Sequence, residues 1–261
     1  METSNLPPEE SGSVASPPSL GSCLVNTFAA PSEVFERLRP APARTSTWLV
    51  SAALLILVSW LGATLVLSQA SVKQQLSDMQ DKAIQQQVDK GKLTEDQAKQ
   101  ARAAAERFGS IGMAIGAYAG PVFTALLTPF WWGLLLWLIG AKILKGTCPY
   151  LKAVEVAGLA NMIAVLAAVL KTLLVLVTGN LLAGPNPGLF IPDLDPTKTL
   201  HAVLLNLDLM TFWVLAIRGL GIAKVSGVPT GKAVGLAFGF WVVITGSLMG
   251  IGLAVQSIFN R

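Results

Sequence analysis

From Thr47 to Ser68 the chain runs 22 residues without one charged side chain. About 20 apolar residues in a row cross the hydrocarbon core of a bilayer, and they do so as a helix because a helix satisfies its own backbone there. The chain returns to this pattern four times. A 34-residue apolar run extends from Ile111 to Leu144. It exceeds one perpendicular span by about a dozen residues. Pro121 and Pro129 interrupt it, so it reads as an entry segment at 111–120 and a span at 121–144. Further spans read at 153–178, 199–223 and 232–258. The expectation is an all-α polytopic membrane protein with five transmembrane helices. Composition agrees. Charged residues make up 13% of the chain, against about 25% in soluble domains, which excludes an ordinary soluble enzyme.

More than half of the 19 basic and 15 acidic residues fall in 1–46 and 69–107. Residues 1–22, rich in Pro, Ser and Glu, have too few apolar groups to offset ordering entropy and read as a disordered tail. In residues 23–46, Leu24, Val25, Phe28, Val34, Phe35 and Leu38 recur at roughly helical spacing. Pro31 and Glu33 mark a helix start with Ser32 as its cap, and Arg37, Arg39 and Arg44 follow. This amphipathic juxtamembrane segment reads as lying on an anionic lipid surface, with a plain linker as the alternative. Residues 69–109 read as a polar helical hairpin inserted between spans one and two. Val72, Leu76, Met79, Ala83 and Ile84 form its first stripe, Gly91 breaks the run, and Thr94 with Gln97 forms a capping box. Its near-neutral charge argues against a nucleic-acid partner.

Little here supplies cofactor chemistry. The one histidine is His201 and the two cysteines are Cys23 and Cys148, so a four-ligand zinc site has no ligand set. Gly227, Gly231 and Lys232 imitate a phosphate loop, but the glycine spacing is one residue short and Ala233 stands where a hydroxyl would hold magnesium. Leu20 to Cys23 has the form of a lipoprotein cleavage box, yet residues 1–19 lack a basic start and an apolar core, so lipidation is not expected. No cofactor, metal or catalytic set is expected.

Basic residues are retained on the cytoplasmic side. Arg37, Arg39, Arg44, Lys142, Lys145, Lys152, Arg218, Lys224 and Lys232 flank one set of span ends, and Lys198 and Arg261 the other. That places the N-terminus inside and the C-terminus outside, with the hairpin outside against the trend of its own basic residues.

Two features inside the spans invite a functional reading. Gly112, Gly116 and Gly120 repeat every four residues, as do Gly231, Gly235 and Gly239, and then Gly246 and Gly250. Small residues at this spacing let helices approach closely in lipid, either within the bundle or across a homo-oligomer face. Charge inside a span costs about 2.5–3.5 kcal/mol even on lenient scales. Arg218 reads as near enough to a span end to snorkel. Lys171 and Asp208 do not, and matched depth with opposite sign suggests an ion pair between spans three and four. That pair reads either as a helix clasp or as part of a proton or solute path. Asn161 is a further polar group in span three. His201, near the outer end of span four, reads as an interface residue.

The stretch from Leu24 to Leu38 (LVNTFAAPSEVFERL), followed by Trp48 and a span, resembles the opening of bacterial YIP1-family membrane proteins. Tyr118, Gly120 and Pro121 echo that family's Tyr-Gly-Pro element, and Lys145 with Gly146 matches its turn before span three. A Gly-Tyr pair common in the family's third span reads Gly158 and Leu159 here. The resemblance covers about residues 24–258. It implies five spans, no known catalysis, a bacterial cytoplasmic membrane and, by analogy with eukaryotic relatives in vesicle traffic, a small GTPase as a partner of the N-terminal region. The leading expectation is a non-enzymatic scaffold or adaptor. The alternative is a small transporter or channel subunit that uses Asp208 and Lys171.

Overall fold

The computed structural model describes residues 18–191, 194–195 and 198–259, with the side chains of 110, 253 and 255–259 left aside. Most of the expected tail (1–17), Pro192, Pro196 and Arg261 lie outside the described residues. Among the described residues there is no strand. Five helices are long and apolar enough to cross a membrane: Thr45–Leu67, Ile111–Ile143, Tyr150–Thr178, Leu209–Ser226 and Thr230–Gly252. The protein is an all-α polytopic membrane protein.

Two short helices precede the first span. Helix α1 (Leu20–Ala29) starts where the Ser19 hydroxyl accepts the Ser22 N–H. Helix α2 (Pro31–Leu38) is capped by Ala30, with Pro31 in its first turn. Ser32 is therefore inside the helix and not its cap, because Pro31 takes the position where a missing N–H costs nothing. Val34, Phe35 and Leu38 are buried, the last two fully. They pack against helix α8 (Leu209–Ser226), where Gly221 leaves room for the Phe35 ring. The apolar stripe of α2 thus docks on the bundle. A protein surface with a notch for Phe35 offers closer packing than lipid tails.

Helix α3 (Thr45–Leu67) leads to α4 (Ala70–Asp89), the first arm of the hairpin. The second arm is not a separate helix. Helix α5 (Glu95–Trp137) runs unbroken through hairpin and membrane for 43 residues, roughly 64 Å at 1.5 Å per residue. Its start is the expected capping box: Gln97 N–H donates to the Thr94 hydroxyl at 3.2 Å and Thr94 N–H to the Gln97 side-chain Oε1 at 2.9 Å. Pro121 and Pro129 lie inside it. Prolines persist in membrane helices where neighbours serve the freed backbone groups. Next to the Ala117 carbonyl that Pro121 leaves without its N–H, the Trp60 indole donates to the Tyr118 carbonyl at 2.8 Å, and the Thr124 hydroxyl to that of Gly120 at 3.0 Å. So residues 111–120 are not a distinct entry segment. One π-helical turn, Leu138–Ile143, ends the span.

Helix α6 (Tyr150–Thr178) is the centre of the bundle, buried continuously from Lys152 to Ile163. Then come the linker 179–198, with a short 3-10 turn at Pro187–Phe190, and α7 (Thr199–Asn206). The chain breaks at 207–208 before α8. The expected fourth span at 199–223 is therefore two helices, and only α8 spans. Helix α9 (Thr230–Phe259) closes the order.

Glycines do bring these helices together, but not the expected ones. A Cβ on Gly158 would overlap Trp48 on α3 and lie 2.6 Å from its Cα; one on Gly133 would lie 3.0 Å from the Val154 Cα, and one on Gly219 2.5 Å from the Val234 Cα. A Cβ on Gly112, Gly116, Gly120, Gly231, Gly235, Gly239, Gly246 or Gly250 would meet nothing within 4 Å. The evenly spaced glycines face out of the described structure, so they do not pack its helices.

Candidate functional site

A groove of about 550 Å³ lies between α6 and α8. Ala164, Ala167, Ala168 and Lys171 line it from α6, and Asp208, Thr211, Val214, Leu215 and Arg218 from α8. Trp132 of α5, Trp241 of α9, Pro185 of the linker and Asn206 of α7 also line it.

Asp208 and Lys171 share this groove without forming an ion pair. Asp208 is the N-cap of α8, and its Oδ1 accepts the Thr211 N–H at 3.0 Å. The Leu209 N–H donates to the Pro185 carbonyl at 3.0 Å, which anchors the break to the linker. Asp208 therefore sits at the mouth of the groove, not inside a span, and its charge is spent on the free N–H groups of a helix start. Lys171 is exposed on the flank of α6.

Arg218 departs furthest from expectation. It is the tenth of the 18 residues of α8, about 12–14 Å from either end at a 1.5 Å rise. It does not snorkel and is only 6% exposed. Its guanidinium lies over the Trp132 ring, 4.3 Å from the centroid, and Nη2 donates to Asn161 Oδ1 at 3.0 Å. Both partners are neutral. Arg218 Nε and Asn161 Nδ2 are buried without an acceptor among the described residues. The orientation of Asn161 follows from chemistry, since a guanidinium only donates and must face the amide oxygen.

At the other end of α6 lies a second buried cation, which the sequence reading counted only as a flanking charge. Lys152 is 4% exposed and its ammonium donates to Glu155 Oε2 at 2.6 Å. Glu155 Oε1 accepts the Thr47 hydroxyl of α3 at 3.1 Å. Glu155 was missed altogether. Its signal was present as a Lys and a Glu three residues apart, neighbours on a helix face. Here the carboxylate has a partner on each oxygen.

The extramembrane parts are fastened by side chains. Lys224 of α8 donates to Glu36 of α2 at 2.7 Å, and this hydrogen bond holds the Glu36 carboxyl below its ordinary value of 4.5. Gln75 of α4 donates to the Gly179 carbonyl and accepts the Leu181 N–H at 3.0 Å, docking the hairpin on the linker. A hollow of about 790 Å³ remains between them. His201 Nδ1 accepts the Asp195 N–H at 3.0 Å, so its ring ties the linker to α7. Cys23 and Cys148 are free and buried, and burial pushes both thiols above 9.0.

These features define a five-span helical membrane protein with a docked N-terminal helix pair and a polar extramembrane hairpin. The Yip1 domain family model matches residues 25–251. The chain belongs to the Yip1 domain family. No curated protein and no solved structure matches it.

Proposed function

We propose that the chain acts as a non-enzymatic membrane scaffold or adaptor. The observation that carries this reading is the docking of α2. With Phe35 and Leu38 fully buried, the same helix holds Glu33 and Arg37 exposed in a fixed pose on the end of the bundle. Rigid display of a polar face suits recognition of another protein, and by family analogy a small GTPase is a candidate. With Arg218 inside α8, eight basic residues remain at this end of the spans and support a cytoplasmic N-terminus and an outward C-terminus, and the family resemblance suggests a bacterial cytoplasmic membrane.

The groove supports a second reading, a small transporter that uses Asp208 and Lys171, because both residues line one opening. Flux into proteoliposomes separates the two. The scaffold reading expects no solute movement that depends on either residue. It also expects Phe35→Asp, which removes α2 from its notch, to release the proteins that accompany the wild-type chain in mild detergent. Solute flux abolished by Asp208→Asn would overturn the scaffold reading.

A further inference from the structure

We infer that the groove between α6 and α8 binds a phosphate anion, with Arg218 as its principal contact and Lys171 as a cation nearer the mouth. This inference stands apart from the scaffold reading and survives its failure.

The charge count inside the groove is unbalanced. Two cations line it against one carboxylate, and that carboxylate caps α8 at the mouth. Arg218 is more than nine-tenths buried and faces neutral partners only. A guanidinium out of water calls for an anion, and its planar fork fits phosphate oxygens. Two donors are left unused, Nε of Arg218, which lines the groove, and Nδ2 of Asn161, which lies outside the lining but holds Arg218. Both can give hydrogen bonds and neither can accept one, so their complement is an acceptor with several lone pairs.

The two cations stand at different depths: Asn161, which holds the Arg218 guanidinium, precedes Lys171 by ten residues of α6, about 15 Å along the helix. On a helix the Cα–Cβ bonds tilt toward the N-terminus. The two helices run antiparallel, so Arg218 leans toward the mouth and Lys171, nearer the mouth, leans inward above it. Lys171 stands seven residues before the end of α6, about 10 Å below it at a 1.5 Å rise. Between the charges the walls are apolar: Ala164, Ala167, Ala168, Val214 and Leu215. This is a surface for an acyl chain beside a site for a phosphate. The phosphate belongs either to a phospholipid head group drawn into the groove or to a soluble anion entering at the mouth.

The test uses the full-length protein in detergent with two lipid probes, phosphatidylglycerol and a galactolipid whose head group is uncharged, read by native mass spectrometry. Wild type should retain one phosphatidylglycerol with at least a tenfold preference over the galactolipid. Arg218→Met should lose that preference. So should Ala168→Trp, which fills the groove while leaving the bond between Arg218 and Asn161 in place and which decides the matter if the arginine variant does not fold. Inorganic phosphate at millimolar concentration distinguishes the sources. If it displaces the lipid in an Arg218-dependent way, the soluble anion is the ligand; if the lipid stays, the head group is. Equal retention of both lipids by wild type, together with no Arg218-dependent binding of inorganic phosphate, overturns the inference. So does an unchanged preference in a folded Arg218→Met or Ala168→Trp protein.

Discussion

Two buried cations lie at different depths of the same bundle, and they are solvated in opposite ways. Lys152 has its own carboxylate at 2.6 Å, and that carboxylate has a hydroxyl from a third residue. The charge there is closed within the protein. Arg218 has an amide oxygen and an indole face, with donors left over. The first arrangement joins α3 to α6 and asks for nothing else. The second is incomplete in the described structure, and incompleteness of this kind marks a site where something binds.

The largest effect should come from breaking the closed pair. Glu155→Ala strands Lys152 in the interior and should cost about 3–5 kcal/mol, measured as a loss of thermal or denaturant stability in detergent. Removing both charges together, as Lys152→Met with Glu155→Leu, should recover most of that loss. Equal damage in the single and double variants would break the comparison.

Asn161→Leu should follow. It removes the direct hydrogen-bond acceptor that Arg218 has among the described residues, a bond to a charged group with a net worth of about 1.5–3 kcal/mol, and its effect should vanish in an Arg218→Met background. Arg218→Met itself should be close to neutral, or stabilising by about 1 kcal/mol, since it replaces an uncompensated charge with an apolar side chain of similar reach. A collapse of stability in that variant would show that Arg218 is held as firmly as Lys152 and would erase the distinction.

The smallest effect belongs to an exposed contact that neither cation resembles. The Glu36 carboxyl titrates below its unfolded value because Lys224 holds it. Its contribution to docking of α2 is therefore complete above pH 4.5 and fades as pH falls through the lowered folded value. Hydrogen exchange of α2 amides should quicken modestly over that window in wild type. Glu36→Gln should show the quicker rate already at neutral pH.

The number of spans was legible because absence of charge over twenty residues is a local property. Asp208 was misplaced because its depth was counted along an uninterrupted helix from 199. An aspartate whose carboxylate takes the N–H of Thr211 starts a helix, and that local chemistry moved it from the interior to the mouth. Arg218 then shifted the other way, since a span beginning at Leu209 leaves it at mid-depth. Glycine periodicity misled for a different reason. Spacing tells which glycines share a face, but the direction of that face is set by what stands opposite. Gly158, Gly133 and Gly219 matter because Trp48, Val154 and Val234 press on them, and no repeat announces them. The docking of α2 was half legible: its apolar stripe was plain, while its acceptor, a notch at Gly221 far along the chain, was not.

The unbroken course of α5 gives the hairpin a fixed angular phase. Because one helix carries both the polar arm and the second span, each residue added between them turns the arm about 100° around the membrane axis and lifts it 1.5 Å. A one-residue insertion near Phe108 would swing α4 away from the linker and pull Gln75 from Gly179 and Leu181. A four-residue insertion would raise the arm by roughly one turn and nearly restore its bearing. The outer part of this protein is thus geared to its membrane part, and its position is counted in helical turns.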